Sequence, residues 1–422
     1  VVVVPAYAEA SSFVDGYREA ARRAGSVLLV VVLNGRIGAE EKIHAANEAC
    51  FRGLAERYSL REFRKGAWLG QDARLTVLVV DRFTVGRRLP FRQGVGLARK
   101  IGADLGLELV ATRRVRHPFL AFTDADAQLP GDYFERIASL DADCSAALFP
   151  FWHERTGLAA IDRATALYEI RLRYYRRGLA WAGSPYAFHT VGSTIAVHAL
   201  WYALARGVPR RRAGEDFYLL NKLSKLRPLT CLKGDPIRLC SRLSERVPFG
   251  TGAESARLAR GAAAELYHRE CFLAVRQVTS ALRRLAQEAV GTDAVGWSAA
   301  ISHIFSDMDV TVQEFLEAQG APDIWRRVCQ NATDSGMRSH RLHEWFDAFR
   351  TLKLIHWVRD HGAPSTPWYE AVQRAPFMDE VIDDGACLRV PRTALLAAEE
   401  MMSVALGPGV ASYASDENTQ AD

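Results

Sequence analysis

Four stretches of this chain are too short for helices and too apolar for half-exposed strands. Val1–Val4, Val27–Leu33, Thr76–Val80 and Pro118–Phe122 carry almost no charge, and longer mixed segments separate them. Strands of that kind are buried on both faces, which points to a mainly parallel sheet with helices packed on either side. The intervening pattern predicts helices over Ser11–Ala24, Glu40–Tyr58, Phe91–Leu105 and Asp132–Ser139. Further on it predicts strands at Ala146–Phe149 and Thr190–Val197, and helices at Ala164–Arg177 and Glu215–Leu226. The expected class is therefore α/β, a Rossmann-like, mainly parallel mixed sheet. Ligands of such sheets gather beyond the carboxyl ends of the strands. Pro5, Asn34, Asp81 and Asp124 all fall at that edge.

From about Glu254 the strand signal almost vanishes. Amphipathic stretches at Ser255–Ala289, Val310–Gln319, Ile324–Gln330 and His340–His361 predict a mostly helical C-terminal region. The expected division is an α/β domain over 1–253, its halves meeting near 130, then a helical region over 254–406. A tail over 407–422, without apolar periodicity, is expected to be disordered. The 54 basic against 49 acidic residues give a net charge of +5, and arginine supplies most of the basic side. That excess favours anionic small ligands, and without zinc-finger spacing or a sustained basic helix it argues against nucleic acid. Seven scattered cysteines with no C-x-x-C pair suit a reducing compartment. No stretch reaches the roughly 20 apolar residues that span a bilayer. The expectation is a cytoplasmic protein, with contact at the inner membrane surface left open. Val1 opening directly into a strand suggests that the natural N-terminus is trimmed or misassigned.

The run Phe122-Thr-Asp124-Ala-Asp126-Ala-Gln-Leu-Pro-Gly131 places two carboxylates just past an apolar strand. Acids that converge in this way repel unless a proton or cation lies between them. Mg2+ or Mn2+ fills that role with one or two carboxylates, completing its shell with water and substrate phosphate. The competing reading is an Asp-rich turn that caps the next helix. Downstream, Gly214-Glu215-Asp216 opens an apolar helix, where the acids either cap the positive helix end or supply a general base. Together the two runs point to an enzyme acting on a nucleotide-activated substrate.

In order and spacing these elements resemble the inverting nucleotide-sugar glycosyltransferases of family 2, which have the GT-A fold. The resemblance covers about residues 1–250. It rests on Pro5-Ala-Tyr7-Ala-Glu9, Gly94-Val-Gly96-Leu-Ala-Arg99, Asp124-Ala-Asp126, Gly192-Ser193 and Gly214-Glu215-Asp216. It implies metal-dependent transfer of a sugar from a UDP- or GDP-linked donor to the hydroxyl of a small-molecule or glycan acceptor. Pro5, Tyr7 and Glu9 would line the nucleotide loop, Asp126 would be the principal ligand of Mg2+ or Mn2+, and Asp124 its neighbour at ribose or metal. Asp216 would be the base, with Glu215 beside it. The family has Asn where this chain has Ala8, and commonly Asp where it has Asn34, so Asp81 becomes a further candidate for base recognition. Arg99 can reach a diphosphate, and Arg242 and Arg246 sit in a Gly-bearing segment that resembles a mobile donor loop.

Trp181 and His189, in an aromatic segment read as a loop over the sheet edge, join Gly192 and Ser193 as acceptor-side candidates. The helical region would shape the acceptor pocket, touch membrane or join a homo-oligomer. Two other classes compete with this reading. A nucleotidyltransferase would carry a basic Gly-rich loop after the first strand, which Ala6-Tyr-Ala-Glu9 is not. A noncatalytic sugar- or nucleotide-binding scaffold would tolerate the departures at Ala8 and Asn34.

Overall fold

The computed structural model describes residues 1–211, 213–241, 251–288 and 294–379. Two compact units emerge. One comprises Val1–Tyr168 and Thr190–Gly261, and the other Glu169–His189 together with Ala262 to the end of the described chain.

The first unit is built on a nine-stranded sheet. Its strands are β1 (Val2–Ala6), β2 (Val27–Asn34), β3 (Arg61–Arg64), β4 (Ala67–Gln71), β5 (Leu75–Arg82), β6 (Phe119–Phe122), β7 (Ala146–Leu148), β9 (Ile195–His198) and β10 (Leu229–Cys231). A separate parallel pair joins β8 (Phe151–His153) to β11 (Ile237–Leu239). The order across the large sheet is β10-β7-β9-β6-β1-β2-β5-β4-β3. Only β4 and β9 run against the rest, so the sheet is mixed but mainly parallel. The apolar runs behave as expected of two-face burial: in β1 and β2, Val3, Val4, Val30, Val31 and Val32 are all fully buried.

The helices of this unit are α1 (Val14–Ala20), α2 (Glu41–Tyr58), α3 (Val95–Ala111), α4 (Tyr133–Ala138), α5 (Ala159–Trp181, shared with the second unit), α6 (Ala199–Leu204), α7 (Glu215–Leu226) and α8 (Thr251–Ala259). The chain runs outward from β1 through β2 to β5, then returns by α3 to β6 on the other side of β1. That reversal opens a crevice beyond the carboxyl ends of β1 and β6, where doubly wound sheets hold their ligands. The strand β3 was not expected. All four of its residues, Arg61-Glu-Phe-Arg64, are exposed, as suits a charged edge strand.

The second unit is mostly helical: α9 (Arg269–Gln287), α10 (Ala294–Ser306), α11 (Val310–Ala318), α12 (Ala321–Asn331), α13 (Ser335–Trp345), α14 (Ala348–Asp360), α15 (Trp368–Arg374) and α16 (Pro376–Asp379). Its strands are a two-residue pair, β12 (Glu265–Leu266) with β13 (Thr366–Pro367). Tyr174 and Phe272 meet Phe377 in an aromatic cluster, which explains why the later turns of α5 belong here. The expected single stretch His340–His361 is two helices. Asp347 accepts from the Arg350 amide at 2.9 Å, and that cap ends one periodic run and starts another. Among the described residues no helix is long and apolar enough to cross a membrane.

Candidate active site

The acidic turn after β6 is pinned on several sides. The Thr123 amide donates to Val3 O at 3.2 Å, and the Ala127 amide to Asp124 O at 3.1 Å. The buried Tyr17 on α1 donates its hydroxyl to the same carbonyl at 2.7 Å. Beyond the turn, Gln128 and Arg238 exchange backbone hydrogen bonds of 2.8 and 3.0 Å. Asp124 is about one-third exposed. Asp126 lies on the wall of a cavity of about 600 Å³, lined also by Phe13, Gly16, Arg23, Gln128 and Arg238.

Arg99 projects from the first turns of α3 and is buried. Its Nη2 donates to Asp124 Oδ1 at 2.6 Å and its Nη1 to Glu215 Oε1 at 2.5 Å. One guanidinium thus touches both acidic runs that the sequence singles out. Two glycines make the arrangement possible. A Cβ on Gly192 would lie 2.2 Å from Arg99 Nη1, and one on Gly96 would lie 2.7 Å from Arg211 O and 3.2 Å from Glu215 Cβ. Burial works against the charge of Arg99, but the carboxylates of Asp124, Glu215 and Asp216 more than offset it and hold the guanidinium protonated.

Glu215 is buried at the start of α7, and Asp216 keeps part of its side chain exposed. The Phe217 amide donates to Asp216 Oδ1 at 2.8 Å. Desolvation, reinforced by the neighbouring Glu215, raises the Asp216 carboxyl to about 7, against the pull of Arg99 and of the backbone donors. A carboxylate that gains its proton near neutrality is well matched to general base work.

The nucleotide-loop candidates Pro5, Tyr7 and Glu9 are all partly exposed at the end of β1. Between them, Ala8 has a φ of 56°, in the left-handed region. Its amide donates to Asn47 Oδ1 at 2.8 Å, and Asn47 Nδ2 donates to Asn34 O at 2.9 Å. Asn34 is buried, with Nδ2 donating to Ala6 O at 2.9 Å and Val32 O at 3.2 Å. Its amide nitrogen thus laces the ends of β1 and β2 together. Asp81 closes its own turn, accepting from the amides of Phe83 and Thr84, the Thr84 hydroxyl and Arg87 at 2.5–3.0 Å. Burial pushes its carboxyl up, but these donors outweigh that and hold it below the usual range.

Gly192 and Ser193 are buried in the first unit. Trp181 and His189 belong to the second, where the Arg276 guanidinium lies 4.5 Å from the Trp181 ring. Arg242 and Arg246 lie outside the described residues. Sequence reasoning missed Tyr17 and Asn47. Asn47 left a trace as a polar residue on the face of α2 that buries Cys50 and Leu54, whereas Tyr17 reads as ordinary core.

Among the described residues no group of three or more His, Cys, Asp and Glu side chains gathers to hold a metal. Asp124 is already engaged by Arg99, and Asp126, two residues on, lines the cavity wall. Two such carboxylates could hold a hard cation only with its shell completed by water and a ligand's phosphates. They do not fit a cage made by the protein alone.

No family model and no curated protein matches the chain. Solved structures similar to it include S. aureus TarS 1-349 in complex with UDP-GlcNAc, at 13% identity and a TM-score of 0.37, covering 83% of this chain and 90% of that one. Another is the mannosyltransferase PcManGT from Pyrobaculum calidifontis in complex with GDP-Man and Mn2+, at 14% identity and a TM-score of 0.34, covering 83% and 86%. Likenesses this loose fix neither a family nor a chemistry.

Proposed function

We propose that this chain is a metal-dependent, inverting glycosyltransferase that moves a sugar from a nucleoside-diphosphate donor to an acceptor hydroxyl. The observation that carries the reading is the meeting of Asp124 and Glu215 on the single guanidinium of Arg99. Residues 91 positions apart in the chain, read from sequence as a donor side and an acceptor side, converge at the sheet's switch point. The donor would enter over Pro5, Tyr7 and Glu9, and Asp126 with Asp124 would hold Mg2+ or Mn2+. When bound, that cation supplies charge neutralisation to a diphosphate leaving group.

The chain's own residues supply the remaining chemistry. An acceptor hydroxyl is a weak nucleophile until a base takes its proton. Asp216, next to Glu215 and raised by burial to about 7, would take it as the oxygen attacks the anomeric carbon. Attack opposite the leaving group forms the new C–O bond as the sugar–phosphate bond breaks, inverting the centre in one step with the nucleoside diphosphate departing. Asp81 and the side-chain nitrogen of Asn34 are engaged in local bonds, so base recognition would fall to the loop at Tyr7–Glu9, with the Asn34 side-chain oxygen beside it. The test is release of nucleoside diphosphate from UDP- and GDP-sugars with Mn2+, and its loss in Asp216→Asn.

A further inference from the structure

We propose that Arg99 is a positioning residue that couples the two acidic centres, so that engagement of Asp124 by a ligand is felt at Glu215 and the base beside it. The inference rests on the proposed function for its consequence, but its geometry stands independently. Arg99 Nε is buried without a hydrogen-bond partner, so the terminal nitrogens carry the polar contacts of the group, one to Asp124 and one to Glu215. Gly192 closes one side, where any β-carbon would collide with Nη1. The guanidinium therefore has two strong anchors on two different elements and little room to lean elsewhere.

The two acids have a donor nitrogen each but share a single buried charge. A ligand that draws on Asp124 Oδ1 competes with Arg99 for it, and the charge released is then free to act on Glu215 and Asp216. Coupling of that kind runs both ways: what alters the hold of Arg99 on Glu215 also alters its hold on Asp124, and with it the affinity of a ligand there. A diphosphate-binding arginine would behave differently, because its removal would weaken nucleotide binding whatever stands at position 215.

The experiment uses the full chain and two readouts. Calorimetric titration with UDP and with GDP in the presence of Mn2+ compares wild type, Glu215→Gln, Arg99→Met and the double variant. Glu215→Gln is expected to shift the dissociation constant at least fivefold, and to have less than a twofold effect once Arg99 is Met. Equal effects of Glu215→Gln in both backgrounds would overturn the coupling. The second readout needs no ligand. In urea unfolding, Asp124→Asn and Glu215→Gln are expected to be non-additive with Arg99 present, because the second change strands a buried charge, and simple additivity would overturn the proposal. If neither nucleotide binds the wild type, the functional reading fails and the unfolding cycle alone decides the coupling. If Arg99→Met does not fold, that same cycle in the Arg99 background still decides it.

Discussion

Gly192 and Arg99 are in such close contact that a β-carbon at position 192 would lie 2.2 Å from Nη1. The sequence shows a Gly-Ser pair before a strand, and the structure gives that glycine a steric task. Gly192→Ala must displace the guanidinium or the backbone, at a cost of about 1–3 kcal/mol for overpacking. Urea unfolding measures that cost. Turnover should fall at least tenfold, because the displaced group is the one that orders Asp124 and Glu215.

Asp216 makes a prediction whose sign depends on pH. Burial, reinforced by Glu215, raises its carboxyl to about 7 in the folded chain, above the ordinary aspartate range of about 4, so the folded chain holds the proton more tightly than the unfolded chain across that interval. Ionising it therefore costs stability that is absent below about pH 4 and fully felt above about pH 7. Asp216→Asn removes the cost, and melting curves should show the variant gaining on wild type at pH 8 and losing that gain near pH 4. The rate with wild type should fall on the acid side of about pH 7, as the base becomes protonated.

Tyr17 tests whether the acidic turn needs its distant anchor. Tyr17→Phe removes the hydroxyl that reaches Asp124 O and leaves the ring in place. The expected loss is about 1 kcal/mol of stability, typical of one hydrogen bond. A lower affinity for nucleotide with Mn2+ should accompany it, read by the same calorimetry.

Ala8 stands in the left-handed region, where a β-carbon costs roughly 1–2 kcal/mol and where Gly or Asn sits more easily. Ala8→Asn should raise the unfolding free energy by up to about 1 kcal/mol. Ala8→Gly should gain less, because glycine gives up more entropy on folding.

Much of this fold is legible in the chain because its information is local. The helix at Glu215–Leu226 emerges with the expected bounds, since Gly214, the paired acids and Phe217-Tyr-Leu-Leu220 all signal the same start. The apolar runs of β1, β2, β5 and β6 likewise fix strand type and burial. The edge strand β3 escapes because it has no apolar face, and its neighbour β4 because it has only a weak one. The helix expected over Phe91–Leu105 begins instead at Val95 and runs to Ala111. The candidate acids are visible as motifs, but what joins them is not. Arg99 and Glu215 are separated by 116 positions, and no periodicity records a contact of that range.

The most direct measurement is nucleoside diphosphate release at pH 8 from a panel of UDP- and GDP-sugars with Mn2+ and a hydroxyl acceptor mixture, for wild type and Asp216→Asn side by side. The account predicts release by the wild type from at least one donor, and a fall of at least about a hundredfold in the variant, in line with the loss of a general base. Undiminished release by Asp216→Asn, or no release from any donor by the wild type, would contradict it.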